Sequence, residues 1–236
     1  METLLLVALA PVFIIGAYVY YRDKYDREPV GLLLKALAAG AVAVIPILLL
    51  EEFLSLFRPF FTGISGAAYT AFVIAGFSEE LFKFLAVFLL FWKSKHFNEK
   101  FDGIVYAVFV SLGFAGVENV LYVLDGGMST GMVRALTAVP AHAVFGVSMG
   151  FYLGLAKFYE KEKKQHLCKA LLVPILLHGI YDFILMTGIN WLLVFWAGFV
   201  VYLYLTGLKR MKKLSAQSIY KTDYELLNKT FNNEGK

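Results

Sequence analysis

Apolar residues run along most of this chain in stretches long enough to cross a membrane, and short polar segments separate them. A spanning helix needs about 20 predominantly apolar residues, and inside lipid every backbone polar group must be satisfied within its own segment. The pattern therefore predicts an all-α bundle of about seven membrane spans. They are placed at residues 3–21, 31–50, 66–92, 102–124, 133–156, 168–187 and 189–208.

Composition agrees with a membrane protein. Of the 236 residues, 59% are hydrophobic, against about 45–50% in soluble domains. We therefore expect one multi-span membrane domain over residues 1–213, followed by a polar cytoplasmic tail over residues 214–236. The net charge of +4 comes from basic residues at span ends, so the expected partner is the lipid bilayer and no nucleic acid. A single cysteine, Cys168, excludes an intramolecular disulfide.

Lysine and arginine concentrate in alternate loops between the predicted spans. The first, third and fifth loops and the start of the tail are basic, whereas the second loop carries only Arg58 and the fourth and sixth carry none. Because cytoplasmic loops of membrane proteins are enriched in lysine and arginine, the N-terminus is predicted outside and the C-terminus in the cytoplasm.

The third predicted span carries three charged side chains near its middle. Residues 66–92 read GAAYTAFVIAGFSEELFKFLAVFLLFW, interrupted by Glu79, Glu80 and Lys83. A carboxylate at the bilayer centre costs at least about 2.5–3.5 kcal/mol, and adjacent carboxylates disfavour each other's ionisation. Lys83 lies one helical turn further on, within reach of either carboxylate. Such groups indicate a function, and the alternative is a buried pair that only fixes helix packing.

Three further spans place polar groups in the same layer, between the bilayer centre and its outer leaflet, given a helical rise of about 1.5 Å per residue. His178 and Asp182 are four residues apart, so they share a helix face and the carboxylate can orient the ring. A purely structural polar network is the alternative. The layer contains Glu79, Glu80, Glu118, His142, His178 and Asp182.

Other charged residues lie near predicted span ends, and we assign them structural roles. The pair Glu51–Glu52 ends the second span and is predicted to be a solvated flank at the outer interface. Asp102 opens the fourth span, and Arg134 lies near the outer start of the fifth. Both are expected to anchor a helix end or to pair locally.

Glutamate and histidine in one layer suit hydrolysis of a carbonyl compound. A glutamate can act as general base, and an imidazole can hold the water or stabilise an oxyanion. The same residue types bind zinc, although no His-Glu-x-x-His motif occurs. A serine mechanism would use Ser78, Ser111 or Ser148, but Gly-x-Ser-x-Gly is absent.

Two other functions would use the same residues. A proton- or ion-coupled membrane transporter needs intramembrane acids and imidazoles, although no inverted repeat is visible in this sequence. A non-catalytic membrane protein could use the polar layer as a recognition pocket.

Several motifs together resemble PrsW-type intramembrane proteases, within the superfamily of CAAX prenyl proteases and bacteriocin-processing enzymes. The resemblance covers residues 26–182, about two-thirds of the chain. The matching stretches, in order, are Asp26-Arg27-Glu28-Pro29, Glu79-Glu80-x-x-Lys83, FDGIVYAVFVSLGFAGVEN from Phe101 to Asn119, Arg134, Pro140-Ala141-His142 and His178-x-x-x-Asp182.

The resemblance implies an intramembrane endopeptidase whose substrate is a membrane-anchored protein, such as an anti-sigma factor. By position, Glu79 is implied as general base and Glu80 as its partner, while His142 helps to bind the water. His178 and Asp182 are implied to orient or stabilise the oxyanion, and for Asp182 the role of orienting His178 suits better, because an ionised carboxylate cannot donate a hydrogen bond. The supporting residues are Asp182, Lys83, Glu118 and Asn119.

We expect no cofactor at this site. Neighbouring residues on a helix point about 100° apart, so Glu79 and Glu80 are not expected to bind the same small ion. Zinc is the alternative, and its ligands would be Glu79, His142 and His178.

Overall fold

The computed structural model describes residues 1–226, and no strand occurs in that part of the chain. The predicted all-α membrane bundle is confirmed. Residues 227–236 of the predicted tail lie outside the described residues, and the boundary at residue 213 stays a prediction.

The helices are α1 (Glu2–Arg22), α2 (Val30–Ser55), α3 (Gly63–Ala68), α4 (Ser78–Phe91), α5 (Lys100–Leu136), α6 (Ala138–Phe158), α7 (Lys163–Met186) and α8 (Leu192–Ala216). Residues Arg58–Phe60 and Glu160–Glu162 form short 3₁₀ helices.

Five helical stretches are long and apolar enough to cross a membrane: Glu2–Arg22, Val30–Ser55, Lys100–Phe158, Glu160–Met186 and Leu192–Ala216. The Lys100–Phe158 stretch has 59 residues and would be roughly 90 Å long if straight, which exceeds one crossing. It is interrupted at Gly127, with φ of 71°, and at Thr137. The number of spans and the orientation of the termini stay predictions.

Helix α5 forms the centre of the bundle and packs against α1, α2 and α6. Every residue from Phe101 to Gly116 is buried, so this segment contacts protein on all sides. Glycines allow the neighbouring backbones to approach. A Cβ atom added to Gly40 of α2 would lie 1.9 Å from the Val110 carbonyl oxygen, and one added to Gly113 would lie 2.0 Å from that of Leu37.

The second half of α5 folds back toward the first at Gly127, which lies in the loop predicted between the fourth and fifth spans. Arg134 was expected near the outer start of the fifth span, but it lies in the last turn of α5, and α6 begins at Ala138. Its guanidinium nevertheless lies 2.8 Å from the Glu118 carboxylate. In a straight helix these residues would be about 24 Å apart, so the positive φ of Gly127 marks a sharp reversal.

A π-helical segment over Tyr69–Phe77 joins α3 to α4 and leads directly into the glutamate pair. Such wide turns are rare and frequently occur at functional sites. The segment packs closely on α7, since a Cβ added to Gly179 would lie 2.1 Å from the Phe72 ring. This contact sets the first turn of α4 against the middle of α7.

The close crossing of α2 and α5 makes Gly40 a sensitive position. We expect Gly40→Ala to lower the apparent melting temperature of detergent-purified protein by several degrees, because overpacking of this kind costs about 1–3 kcal/mol. Gly198→Ala on α8 is the control, since a Cβ there would meet nothing within 4 Å. Equal melting temperatures for the two variants would contradict this packing.

Candidate active site

The four residues predicted to be catalytic converge at one place in the bundle. One potential ligand atom from each of Glu79, Glu80, His142 and His178 lies within 4.8 Å of the others, and all four residues are buried. Helix α4 contributes the two glutamates, α6 contributes His142 and α7 contributes His178. Three separate helices therefore supply one compact polar cluster.

Lys83 lies at the centre of this cluster and is fully buried. Its Nζ atom lies 3.0 Å from Glu79 Oε2, 2.9 Å from Glu80 Oε1 and 3.2 Å from His142 Nδ1. An ammonium only donates hydrogen bonds, so His142 Nδ1 accepts and the ring proton resides on Nε2. Nε2 in turn donates to Glu118 Oε2 at 2.9 Å. Lys83 thus fixes His142 as one neutral tautomer.

His178 is held between two carboxylates. Its Nε2 atom lies 3.1 Å from Asp182 Oδ2, and its Nδ1 atom lies 3.1 Å from Glu80 Oε1. Glu80 Oε1 also accepts a hydrogen bond from Lys83. When both ring nitrogens of His178 carry protons, His178 Nδ1 donates to the same Glu80 oxygen. The contact with Asp182 is the one expected from the four-residue spacing.

The two adjacent glutamates differ in access. The Glu80 side chain is fully buried and bonded to both Lys83 and His178, whereas Glu79 faces a cavity of about 480 Å³. Glu79 Oε2 accepts one hydrogen bond, from Lys83. It also lies 3.8 Å from His178 Nδ1 and 3.9 Å from His142 Nδ1. Glu79 is therefore the member of the pair that a water in the cavity can reach.

A chain of hydrogen bonds and one ion pair connects His142 to α1 through Glu118, Arg134 and Asn119. Glu118 pairs with Arg134 at 2.8 Å, and Arg134 Nε donates to Asn119 Oδ1 at 3.1 Å. The Asn119 amide then donates to the Ala8 carbonyl oxygen at 2.9 Å, which completes the connection to α1. Asn119 thus lies behind the cluster, as a support for Arg134.

Glu51 was predicted to be a solvated flank, and this is wrong. Its carboxylate is half-buried, accepts a hydrogen bond from Ser78 Oγ at 3.3 Å and faces the same cavity as Glu79. Helix α2 continues to Ser55, so Glu51 follows the buried Val44 and Ile47 on one face. That spacing of four and seven residues is the helical pattern that could have identified it. Its neighbour Glu52 is exposed.

The chemistry of the cluster suits a metal ion, but Lys83 takes the position that an ion would need. Both histidines present Nδ1 inward and bind a carboxylate through Nε2, as zinc-binding histidines do. The Lys83 ammonium, however, contacts three of the four candidate ligands. Glu79 and Glu80 both reach this ammonium at 3.0 and 2.9 Å, which is longer than a zinc–oxygen bond of about 2.0–2.2 Å. The expectation that they do not bind the same small ion therefore stays a prediction.

Comparison with known proteins agrees with the geometry. A sequence model described as PrsW family intramembrane metalloprotease matches residues 28–208. Protease PrsW of Bacillus subtilis (strain 168) is 40% identical over 214 residues, covering 90% of this chain and 96% of that protein. Protease PrsW of Clostridioides difficile (strain 630) is 38% identical over 216 residues, covering 89% and 90%. No solved structure matches the chain significantly.

The central position of Lys83 predicts a strong effect on stability. We expect Lys83→Met to reduce the yield and the unfolding free energy of the purified protein, because removing one partner of a buried ion pair costs about 3–5 kcal/mol. Lys212→Met is the matched control, since Lys212 is exposed on α8. If Lys83→Met were as stable as the control, the ammonium would not be the cation that compensates the two carboxylates.

Proposed function

Because this chain belongs to the PrsW family of intramembrane metalloproteases and is an intramembrane protease, we propose that it hydrolyses a peptide bond of a membrane-anchored protein in the Glu79 cavity. The proposed substrate class includes membrane-anchored anti-sigma factors. The observation that carries the proposal is the contrast within the acidic pair. Glu79 faces the cavity, and Glu80 is bound from both sides.

In the proposed reaction Glu79 is the general base. It takes a proton from a water molecule as the water oxygen attacks the scissile carbonyl carbon. It then returns the proton to the leaving amine as the carbon–nitrogen bond breaks. Its single hydrogen bond, from Lys83, leaves the other carboxylate oxygen free for this water.

The other residues are proposed to hold charge and geometry. His178 gives up its Nδ1 contact with Glu80 and donates that hydrogen bond to the oxyanion that forms on the substrate carbonyl. Asp182 holds the other ring nitrogen, Nε2, and so fixes the orientation of the ring. Glu80 positions Lys83 and His178, to which it is bonded. His142 lines the cavity wall and, with its ring nitrogens held by Lys83 and Glu118, shapes the space for the attacking water.

We propose that the Lys83 ammonium is the cation of the resting site and that the site works without a bound metal ion. The support is the position of the Lys83 ammonium among the candidate ligands. If zinc binds instead, Glu79, His142 and His178 would hold it, and the ion would act as a Lewis acid on the carbonyl or the water. Lys83 would then have to leave its present position.

Replacing the proposed base tests the assignment. We expect Glu79→Gln to reduce cleavage at least about 100-fold, because glutamine keeps the shape but cannot take the proton. The measurement is the amount of shortened product when the protein is co-expressed with candidate single-span substrates. Glu52→Gln, which changes an exposed acid near the C-terminal end of α2, should retain full cleavage. Normal cleavage by Glu79→Gln would remove Glu79 as the base.

Metal content separates the two mechanisms. We expect detergent-purified wild type to contain far less than one zinc per chain, and chelation to leave cleavage unchanged, because Lys83 supplies the cation. Elemental analysis of wild type and His178→Ala measures this. One zinc per wild-type chain that is absent from His178→Ala would show that the site is a zinc centre and that the metal-free mechanism is wrong.

A further inference from the structure

A second cluster of buried acids lies at the other end of α5 from the cavity. One carboxylate oxygen from each of Asp23, Glu99 and Asp102 lies within 4.8 Å of the others. These residues are 1%, 4% and 0% exposed. They belong to the α1–α2 connection, the α4–α5 connection and the first turn of α5. Asp102 is about 24 Å along the helix from Glu118, so this cluster is separate from the active site.

Each of these acids keeps one carboxylate oxygen without a hydrogen-bond partner among residues 1–226. The free atoms are Asp23 Oδ1, Glu99 Oε2 and Asp102 Oδ1. Their other oxygens have partners: Asp23 Oδ2 accepts from the Glu28 amide at 3.0 Å, and the Glu99 carboxylate is hydrogen-bonded to Ser218. Asp102 Oδ2 accepts from the backbone amides of Asn98 and Glu99 at 2.8 and 2.7 Å. A buried oxygen without a partner is costly.

The described chain supplies no cation that neutralises the cluster. No lysine or arginine within residues 1–226 forms an ion pair with the three acids. Lys157 acts electrostatically on Asp102, but its ammonium donates to the Trp92 carbonyl oxygen. Within residues 1–226 the cluster therefore lacks a compensating positive charge.

We propose that Asp23, Glu99 and Asp102 bind a hard divalent cation of the Mg²⁺ or Ca²⁺ type. Three carboxylates with free oxygens, and no histidine or cysteine, are ligands that such ions prefer over zinc. The Asn98 amide oxygen, also without a partner in the described chain, is a neutral oxygen next to Asp102. A bound cation would tie the two interhelical connections to the first turn of α5.

Mn²⁺ is the probe for direct binding, because its paramagnetism reports free and bound ion. Wild-type protein stripped with EDTA and titrated in detergent at pH 8 is expected to show one saturable Mn²⁺ site that Mg²⁺ or Ca²⁺ displaces. The stronger competitor of the two identifies the preferred ion. Glu99→Gln is expected to weaken Mn²⁺ binding at least about ten-fold. Asp125→Asn, which changes an exposed acid, and His178→Ala, which changes the active site, should leave it unchanged.

Thermal stability gives a second readout. Saturating Mg²⁺ or Ca²⁺ should raise the melting temperature of the wild type but not that of Glu99→Gln. In EDTA the variant should melt at or above the wild type, because one repelling charge is gone. Asp23→Asn replaces Glu99→Gln if that variant does not fold. No saturable binding to wild type, binding retained by both variants, or binding lost in His178→Ala would each overturn the proposal.

Discussion

A lysine ammonium buried between two carboxylates is the interaction on which the rest of this structure depends. Ionised groups in hydrocarbon are too costly to keep without compensation, and Lys83 compensates Glu79 and Glu80 within one helical turn. Its third donor fixes the tautomer of His142. The contact between His142 and Glu118 follows from this tautomer, because the Nε2 proton of His142 requires an acceptor and Glu118 supplies one.

The fold reflects the same demand for charge compensation. Glu118 needs its own cation, and the reversal of α5 at Gly127 brings Arg134 back to supply it. The first half of α5 is surrounded by protein because glycines let α2 and α6 approach its backbone closely. A central helix of this kind can carry polar groups at both ends without exposing them to lipid. One end bears the proposed catalytic cavity and the other the buried acid cluster.

The sequence predicted the features that depend on local spacing. An acidic pair in an apolar run, a lysine one turn later and a histidine four residues before an aspartate all follow from helical geometry. The common layer of Glu79, His142 and His178 was predicted from their depth in the spans, but other features that depend on how helices meet were missed. Glu51 looked like the end of a span because its partners lie on other helices, and the pairing of Arg134 with Glu118 joins residues on either side of the turn at Gly127. The acid cluster joins Asp23, Glu99 and Asp102 from separate segments, which no single motif contains.

A double-mutant cycle between Lys83 and Glu80 tests the central claim most directly. The unfolding free energy in mixed detergent would be measured for wild type, Lys83→Met, Glu80→Gln and the double variant. If the ammonium compensates the buried carboxylates, the double variant will lose much less stability than the sum of the single losses, since pairs in contact couple by about 0.5–3 kcal/mol. Additive losses would contradict the account, because they would mean that Lys83 and Glu80 stabilise the bundle independently.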